Sequence, residues 1–333
     1  MMANTQIQNR MMQTVILCTY NRGKDLCRAL ESLAAQRLPA FVNWEILVVD
    51  NGSSDNTREI VEAYCARYPG RFRYVLEPHP GKSYALNTGI SKSQGEILAF
   101  TDDDATFAPD WLYNLTSSLH DGQWAGAGGR TLPSQPFTPP RWLSLKGAFD
   151  MSGIVAATFD KGDQPVHLDD APYGVNMAFR KKVFEQHGPF RTDLGPTPNG
   201  DIPRPNEDTE FGRRLMSAGE RLKYEPSAIV YHPLHENRVR KDYFLSWWFD
   251  AGRATVREVG RKPDLWGIPR PYLALSKAIA LMAARILRWM FALGAQRRFY
   301  RKCWVWKTFG QIVEMRRQWF SFSGPSSVAN ESK

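Results

Sequence analysis

Ile97-Leu98-Ala99-Phe100-Thr101-Asp102-Asp103-Asp104 is the stretch on which the fold turns. Four consecutive apolar residues mark a strand buried on both faces. The run ends at three consecutive carboxylates, which cannot all be buried without partners. Pro109 follows, where the first turn of a helix tolerates a residue lacking an N–H. Carboxylates gathered at the ligand-binding edge of an α/β sheet suit Mg²⁺ or Mn²⁺, hard cations that bridge phosphate oxygens. Taken alone, a solvated acidic turn capping the next helix accounts for the same three residues.

Outward from this stretch the chain alternates strand and helix patterns. Val15–Cys18 is a short β-branched run, and Lys24–Gln36 carries Leu26, Leu30 and Leu33 at helical spacing. Ile46–Val49 is a second buried run, ended by the turn residues Asp50-Asn51-Gly52-Ser53-Ser54-Asp55. Thr57–Tyr68 reads as a helix, Phe72–Leu76 as a weaker strand and Ser83–Ser91 as a helix. Alternation of this kind predicts a mostly parallel, Rossmann-like sheet that binds ligands beyond the carboxyl ends of its strands. The first such end, Thr19-Tyr20-Asn21-Arg22, offers an aromatic to stack on a base and a cation for phosphate; the second, at Asp50 and Asn51, suits a base edge or ribose, although a turn explains it nearly as well.

The 333 residues suffice for one large domain and an appendage, and 43% hydrophobic with 23% charged residues excludes a disordered or fibrous chain. The net charge of +9 is unevenly placed: residues 236–333 hold 19 Lys and Arg against 7 Asp and Glu, leaving 24 against 27 before them. Seven of the eleven Trp lie in that basic end, which predicts a phosphate-rich partner for it, a membrane surface or nucleic acid. Cys18, Cys27, Cys65 and Cys303 show no metal or CxxC spacing and read as free thiols. The early apolar run Thr14–Thr19 is too short for a signal peptide, so a cytoplasmic catalytic body is expected.

Two stretches interrupt the alternation. Thr131–Arg141, with four Pro, reads as a loop; Gly188–Asn206, with five Pro and three Gly, reads as a binding loop or lid leading into Glu207-Asp208. Pro271–Ala295 is apolar but broken by Lys277, Arg285 and Arg288, which fall on one stripe of a helix. Leu275, Ile279, Met282, Ile286, Met290 and Leu293 take the opposite side. The pattern fits a helix lying in the plane of a membrane, a surface helix packed on the domain, or a tilted span that lacks the usual ~18 uninterrupted apolar residues.

From Thr14 to His235 the chain resembles the family-two glycosyltransferases of the GT-A fold. The resemblance rests on six motifs in order: Thr19-Tyr20-Asn21-Arg22; Val48-Val49-Asp50-Asn51-Gly52-Ser53-Ser54-Asp55; Gly81-Lys82-Ser83-Tyr84-Ala85-Leu86-Asn87; Phe100-Thr101-Asp102-Asp103-Asp104; Gly174-Val175-Asn176-Met177-Ala178-Phe179-Arg180; and Asn206-Glu207-Asp208-Thr209-Glu210-Phe211-Gly212-Arg213-Arg214-Leu215. It implies a catalytic domain over 12–235, with a nucleotide-binding half at 12–105 and an acceptor half at 106–235. A basic, Trp-rich helical region would then occupy 236–325, meeting a membrane through 268–306, and a disordered tail 326–333.

Site roles follow from the same resemblance. Thr19, Tyr20, Asn21, Arg22, Asp50, Asn51, Ser53, Lys82, Asn87, Asp102 and Asp103 would bind the donor nucleotide sugar. Asp104 would be the direct metal ligand of a DXD-type motif, with Asp102 near the ribose and also toward the metal, and His235 after the strand Ala228–Tyr231. Asp208 is the expected general base of an inverting transfer, with Glu207 beside it, although acids at a helix N-terminus are also favoured by the dipole. Asn176 and Arg180 would border the acceptor, as would Trp247 and Trp248 near Arg253. The chain lacks the Gln-x-x-Arg-Trp motif of processive synthases, so single-sugar addition is expected.

The expected activity is therefore transfer of one hexose-type sugar, from a UDP-sugar ahead of GDP or dTDP donors, in cell-envelope polysaccharide synthesis. The acceptor would be lipid-linked or a polysaccharide precursor, the cofactor Mn²⁺ or Mg²⁺, and the location peripheral on the cytoplasmic membrane face, with no nucleic acid partner. Competing readings are a sugar-nucleotide nucleotidyltransferase, which needs a Gly-rich signature that Thr19–Gly23 lacks, and a non-catalytic basic module binding lipid or nucleic acid.

Overall fold

The computed structural model describes residues 12–200, 202–260 and 270–319; the expected tail at 326–333, and 261–269 and 320–325 of the expected helical region, lie outside them. The chain divides into two compact units, Met1–Arg240 and Lys241–Lys333. The first opens with β1 (Gln13–Thr19), α1 (Gly23–Ala34), β2 (Trp44–Asp50), α2 (Thr57–Arg67), β3 (Phe72–Leu76), α3 (Lys82–Lys92), β4 (Ile97–Asp102) and β5 (Thr106–Phe107). It continues with α4 (Trp111–Ser117), β6 (Gly126–Pro133), α5 (Ser152–Ala156), β7 (Val166–His167), β8 (Met177–Arg180), α6 (Lys182–His187), α7 (Glu207–Ser217) and β9 (Leu222–His232).

One sheet carries the order β3-β2-β1-β4-β8-β6-β9-β5, with β7 also paired to β9. The first four strands are parallel, and their register aligns Thr19 with Asp50 and Cys18 with Asp102. Three carboxyl ends thus finish on one edge, with the topological switch between β1 and β4. Both faces of β1, β2 and β4 are buried, which is why they read as unbroken apolar runs, whereas β3 at the edge is only partly covered. Val15, Leu17, Ile46 and Val48 meet Leu26, Leu30 and Leu33 of α1. Ile16, Leu47 and Val49 face Leu86 and Ile90 of α3 on the other side. Beyond β4 the sheet is mixed: β8 runs antiparallel to β4 and β6, and β6 parallel to β9.

That second half corrects part of the sequence reading, because the expected loop at Thr131 begins inside β6. Its start, Gly126-Ala127-Gly128-Gly129, is glycine at three of four positions for a steric reason. A Cβ at Gly126 would sit 2.3 Å from the Phe179 ring, and one at Gly129 would sit 2.3 Å from the Ala228 carbonyl oxygen. The β6–β9 register slips between Gly129 and Arg130. Asn176 plugs the irregularity: its Nδ2 donates to the carbonyls of Arg130 and Ala228, both at 2.9 Å, and its Oδ1 accepts from Trp111 Nε1 at 2.8 Å.

Phenylalanines anchor α7 under the sheet. Phe211 stacks on Phe184 at 4.6 Å and meets Phe179 edge-on at 5.1 Å, while Phe190 closes on it at 4.8 Å. These contacts fix where the first turn of α7, with Glu207 and Asp208, meets the strand edge.

The second unit is α8 (Lys241–Val259), α9 (Arg270–Met290) and α10 (Ala295–Trp319). Glycines let α8 and α10 touch backbone to backbone: a Cβ at Gly252 would lie 1.9 Å from the Lys307 carbonyl oxygen, and one at Gly310 would lie 2.0 Å from that of Phe249. Glu314 is fully buried between Arg253 at 3.0 Å and Arg257 at 2.7 Å. Among the described residues no helix is long and apolar enough to cross a membrane. The expected cationic stripe is also revised: Arg285 turns onto α10, donating to the Trp304 carbonyl at 3.2 Å and to Thr308 Oγ1, and covers the Trp304 ring. Lys277 and Arg288 stay exposed. All four cysteines are free thiols.

Replacing Asn176, 1% exposed, with Leu strands two carbonyls and the Trp111 N–H in the core. Urea denaturation should record a loss of roughly 3–5 kcal/mol, against about 2 kcal/mol for Trp111→Phe, which strands Asn176 Oδ1 alone and leaves a small cavity.

Candidate active site

The three carboxylates after β4 face different partners, so they are not equivalent. Asp102 accepts a hydrogen bond from Lys82 Nζ at 2.8 Å. Asp103 is buried and accepts from Thr19 Oγ1 at 2.7 Å. Burial pushes its carboxyl up to about 7, against the Thr19 bond that favours the ionised form. Asp104 turns toward the end of β9, where His235 Nε2 lies 3.0 Å from Oδ2 and His232 Nε2 3.7 Å from Oδ1. Arg22 reaches the same Oδ2 at 3.3 Å. Burial alone would raise the Asp104 carboxyl, but His235, His232, Arg22 and Arg238 outweigh it and hold it below the usual carboxylate range.

His232 and His235 differ in exposure. His232 is buried, which pushes its pKa down despite Asp104. Its Nδ1 lies 2.8 Å from the Pro233 carbonyl, which can only accept, so Nδ1 carries a proton. Among the described residues no three His, Cys, Asp or Glu side chains form a ready metal cage. Asp104 and His235 do form an adjacent oxygen–nitrogen pair. That pair suffices for a hard cation that takes its remaining ligands from water and substrate phosphate.

Lys82 joins the two acidic regions. Its Nζ lies 2.8 Å from Asp102 and 3.5 Å from Glu207 Oε1. Glu207 is buried, and burial pushes its carboxyl up to about 7 while Lys82 opposes. The ammonium is desolvated as well, yet Asp102 and Glu207 keep it charged well above the ordinary lysine value. Asp208 is half-buried at the next position, with Oδ2 accepting from Gly174 N and Oδ1 from Thr209 N, both at 2.6 Å. Each oxygen keeps a further lone pair. The binding loop expected at Gly188–Asn206, described apart from residue 201, lies on this corner: Lys82 N donates to Pro196 O and Ser83 Oγ to Leu194 O.

The loops after β1 and β2, expected to meet the nucleotide, are tied to each other. Asp50 accepts from Tyr74 Oη at 2.9 Å and Ser53 N at 2.8 Å. Asn21, at φ 51°, accepts from Ser54 N through its side chain and donates its own N–H to Ser53 Oγ. Tyr20 beside it is exposed. Asn51 Oδ1 accepts from Gly81 N while its Nδ2 donates to the carbonyls of Glu77 and His79.

Several expected site residues are engaged in other contacts. Asn87 clamps the Phe190 backbone with both ends of its amide, so its side chain holds a loop. Asn176 is consumed by the β6–β9 plug. Arg180 pairs opposite Ile97, at the far end of β4 from Asp102, and donates to the Leu119 carbonyl. The antiparallel sense of β8 carries it away from the cleft. Trp247 and Trp248 belong to the second unit, where Trp248 packs on Tyr300 and Trp304, and Arg253 is paired with Glu314. The pattern reading missed Tyr74 and the Gly174 N–H. Nothing local marks Tyr74; only the β2–β3 register brings it to Asp50.

Comparison with known proteins matches residues 14–188 to the family model described as Glycosyl transferase family 2. The succinoglycan biosynthesis protein ExoM of Rhizobium meliloti (strain 1021) is 30% identical over 247 residues, 74% of each chain. A glucosyl-dolichyl phosphate glucuronosyltransferase of Haloferax volcanii is 26% identical over 244 residues, 71% of this chain and 74% of its own. In fold, the chain is similar to the mannosyltransferase PcManGT of Pyrobaculum calidifontis, solved with GDP-Man and Mn²⁺, at a TM-score of 0.56 and 21% identity, covering 94% of this chain and 88% of that one. The motifs, the sheet order and these matches agree: the chain belongs to glycosyl transferase family 2, and is a glycosyltransferase built on the GT-A fold.

Proposed function

We propose that the chain is an inverting transferase that moves one sugar from a nucleotide donor, a UDP-sugar first, to a lipid-linked or polysaccharide-precursor acceptor. The observation that carries this reading is the single cation between two acidic sites: Lys82 Nζ contacts both Asp102 and Glu207, the neighbour of Asp208. Donor diphosphate and acceptor base then share one cleft.

In this mechanism Asp50, oriented by Tyr74, meets the base, and Asp102 the ribose. Arg22 and the Thr19–Asn21 turn border the phosphates. Asp104 and His235 would hold Mn²⁺ or Mg²⁺, which would supply neutralising charge for a leaving diphosphate. Asp208 takes the proton of the acceptor hydroxyl as that oxygen attacks the anomeric carbon from the side opposite the diphosphate, which inverts the centre. The hydrogen bonds from Gly174 and Thr209 fix the orientation of the Asp208 carboxylate.

The acceptor classes draw support from the relatives, one named for succinoglycan biosynthesis and one for a dolichyl-phosphate-linked sugar. A lipid-linked acceptor also fits α9. Tyr272, Leu273, Ile279, Leu287, Met290 and Phe291 are exposed along one side of it and just past its end, with Lys277 and Arg288 exposed beside them. An exposed apolar strip bordered by cations is the pattern of a helix lying in a membrane interface.

Transfer assays with and without Mn²⁺ or Mg²⁺ test the chemistry. Asp208→Asn should lower kcat by about 10²–10⁴ with donor binding retained, and Asp104→Ala should abolish the response to metal. Undiminished transfer in both variants rules the mechanism out.

The ionic arrangement has its own stability signature. Lys82→Met leaves Glu207 buried opposite no cation and should cost about 3 kcal/mol in urea denaturation. Adding Glu207→Gln to it should restore part of that loss, and a double variant no more stable than the single one contradicts the pairing.

For the membrane, the full chain should float with anionic vesicles at low salt and release as salt rises. The variant Ile279→Asp with Leu287→Asp should stay at the bottom of the gradient. Flotation that persists in this variant assigns binding to another surface.

A further inference from the structure

A cavity of about 400 Å³ opens beside the site, and the mechanism above leaves it unused. Leu132 and Pro133 at the end of β6, Phe137 and Leu145 beyond it, Val155 of α5, and Leu234 after β9 form its wall. The size is that of a small-molecule pocket. The polar residues on the lining are Ser134, Gln135, Ser152, Thr158 and Tyr231, against eight apolar ones.

Its position is set by two connections to the reacting groups. Pro133 pairs with His232 across β6 and β9, and Ser134 N donates to the His232 carbonyl at 2.9 Å. The four residues His232–His235 therefore face both ways, with two imidazoles on Asp104 and Leu234 in the cavity wall. On the other flank, α5 lies against Tyr173: a Cβ at Gly153 would sit 2.9 Å from its hydroxyl. Tyr173 directly precedes Gly174, whose N–H holds Asp208. Helix α5 ends at Ala157 with φ 48°, a left-handed conformation that strains a side-chain-bearing residue. That strain sits on the rim, between Ala156 and Thr158 of the lining.

The chemistry of the wall separates the two acceptor classes. A sugar unit carries a hydroxyl on most of its carbons, and an apolar wall would strip their water without replacing the hydrogen bonds. A hydrocarbon chain loses nothing there and gains burial. Pro133, Pro136, Pro139 and Pro140 stiffen the segment that forms one side, so the pocket need not be ordered by its occupant.

We propose that this cavity holds the hydrocarbon of a lipid-linked acceptor, next to the position where its sugar hydroxyl meets Asp208. The assignment rests on the glycosyl-transfer reading and selects the lipid-linked class within it.

Farnesyl phosphate is a suitable probe, titrated into the full-length protein below its micelle concentration. A parallel thermal-shift titration with UDP or GDP and Mn²⁺ reports the donor site separately. Saturable binding at one equivalent is expected, unaffected by equimolar inorganic phosphate. Phe137→Ser and Leu145→Gln, both on half-buried residues, should each weaken it about tenfold and leave the nucleotide response unchanged. A protein stabilised by nucleotide that binds no farnesyl phosphate, or binds it equally well in both variants, overturns the pocket assignment and leaves the transferase reading intact. Loss of binding in Leu287→Asp alone places the hydrocarbon on α9 and also overturns it. Absence of any nucleotide response overturns the reading of the site, and the inference with it.

Discussion

A lysine ammonium set among carboxylates is the constraint around which the first unit is arranged. Lys82 opens α3, where the helix dipole disfavours a cation. It stays there because Asp102 and Glu207 surround it, and two unit charges about 4 Å apart are worth on the order of 4 kcal/mol near a protein surface. The same dipole logic favours Glu207 and Asp208 at the opening of α7. Two helix N-termini and one strand end meet at a single point, with opposite charges arranged to hold one another. The phenylalanine cluster under α7 and the aligned carboxyl ends of the parallel strands deliver these groups to that point.

The other acid of the cleft is governed differently. Asp104 is surrounded by two imidazoles and Arg22, groups that favour its ionised form, while Asp103 one residue earlier is buried on Thr19 with its carboxyl raised. Adjacent residues of one turn thus present a fixed negative charge and a group near neutrality. A preorganised site of this kind has its polar groups oriented before substrate arrives.

The parallel half of the sheet was legible because strands covered on both faces must be apolar throughout, as Ile46–Val49 and Ile97–Phe100 are. The acidic edge was legible because charged residues cannot continue such a run inward. The mixed half was not. Strand β6 begins with glycines demanded by Phe179, Pro172 and the Ala228 carbonyl, all distant in sequence, so no local periodicity announces it. Arg180 was misassigned for a related reason: proximity to Asn176 along the chain says nothing about which sheet edge a short antiparallel strand reaches. Asn51, Asn87 and Asn176 share one lesson. An amide in a recognised motif serves either ligand or backbone, and only the fold reveals the carbonyls that need it. In the second unit the apolar pattern located α9, but the neighbour that claims Arg285 could not be read from spacing alone.

Asn51 carries a consequence of its own. Through Gly81 N and the carbonyls of Glu77 and His79, its side chain fastens the turn after β2 to the residues that start α3. Remodelling that turn to accept a different nucleoside would therefore pull on the backbone that aims Lys82. Under the proposed donor placement, nucleotide preference and the aim of Lys82 would be mechanically linked, and exchanging one nucleotide for another would call for compensating change on both sides of Gly81.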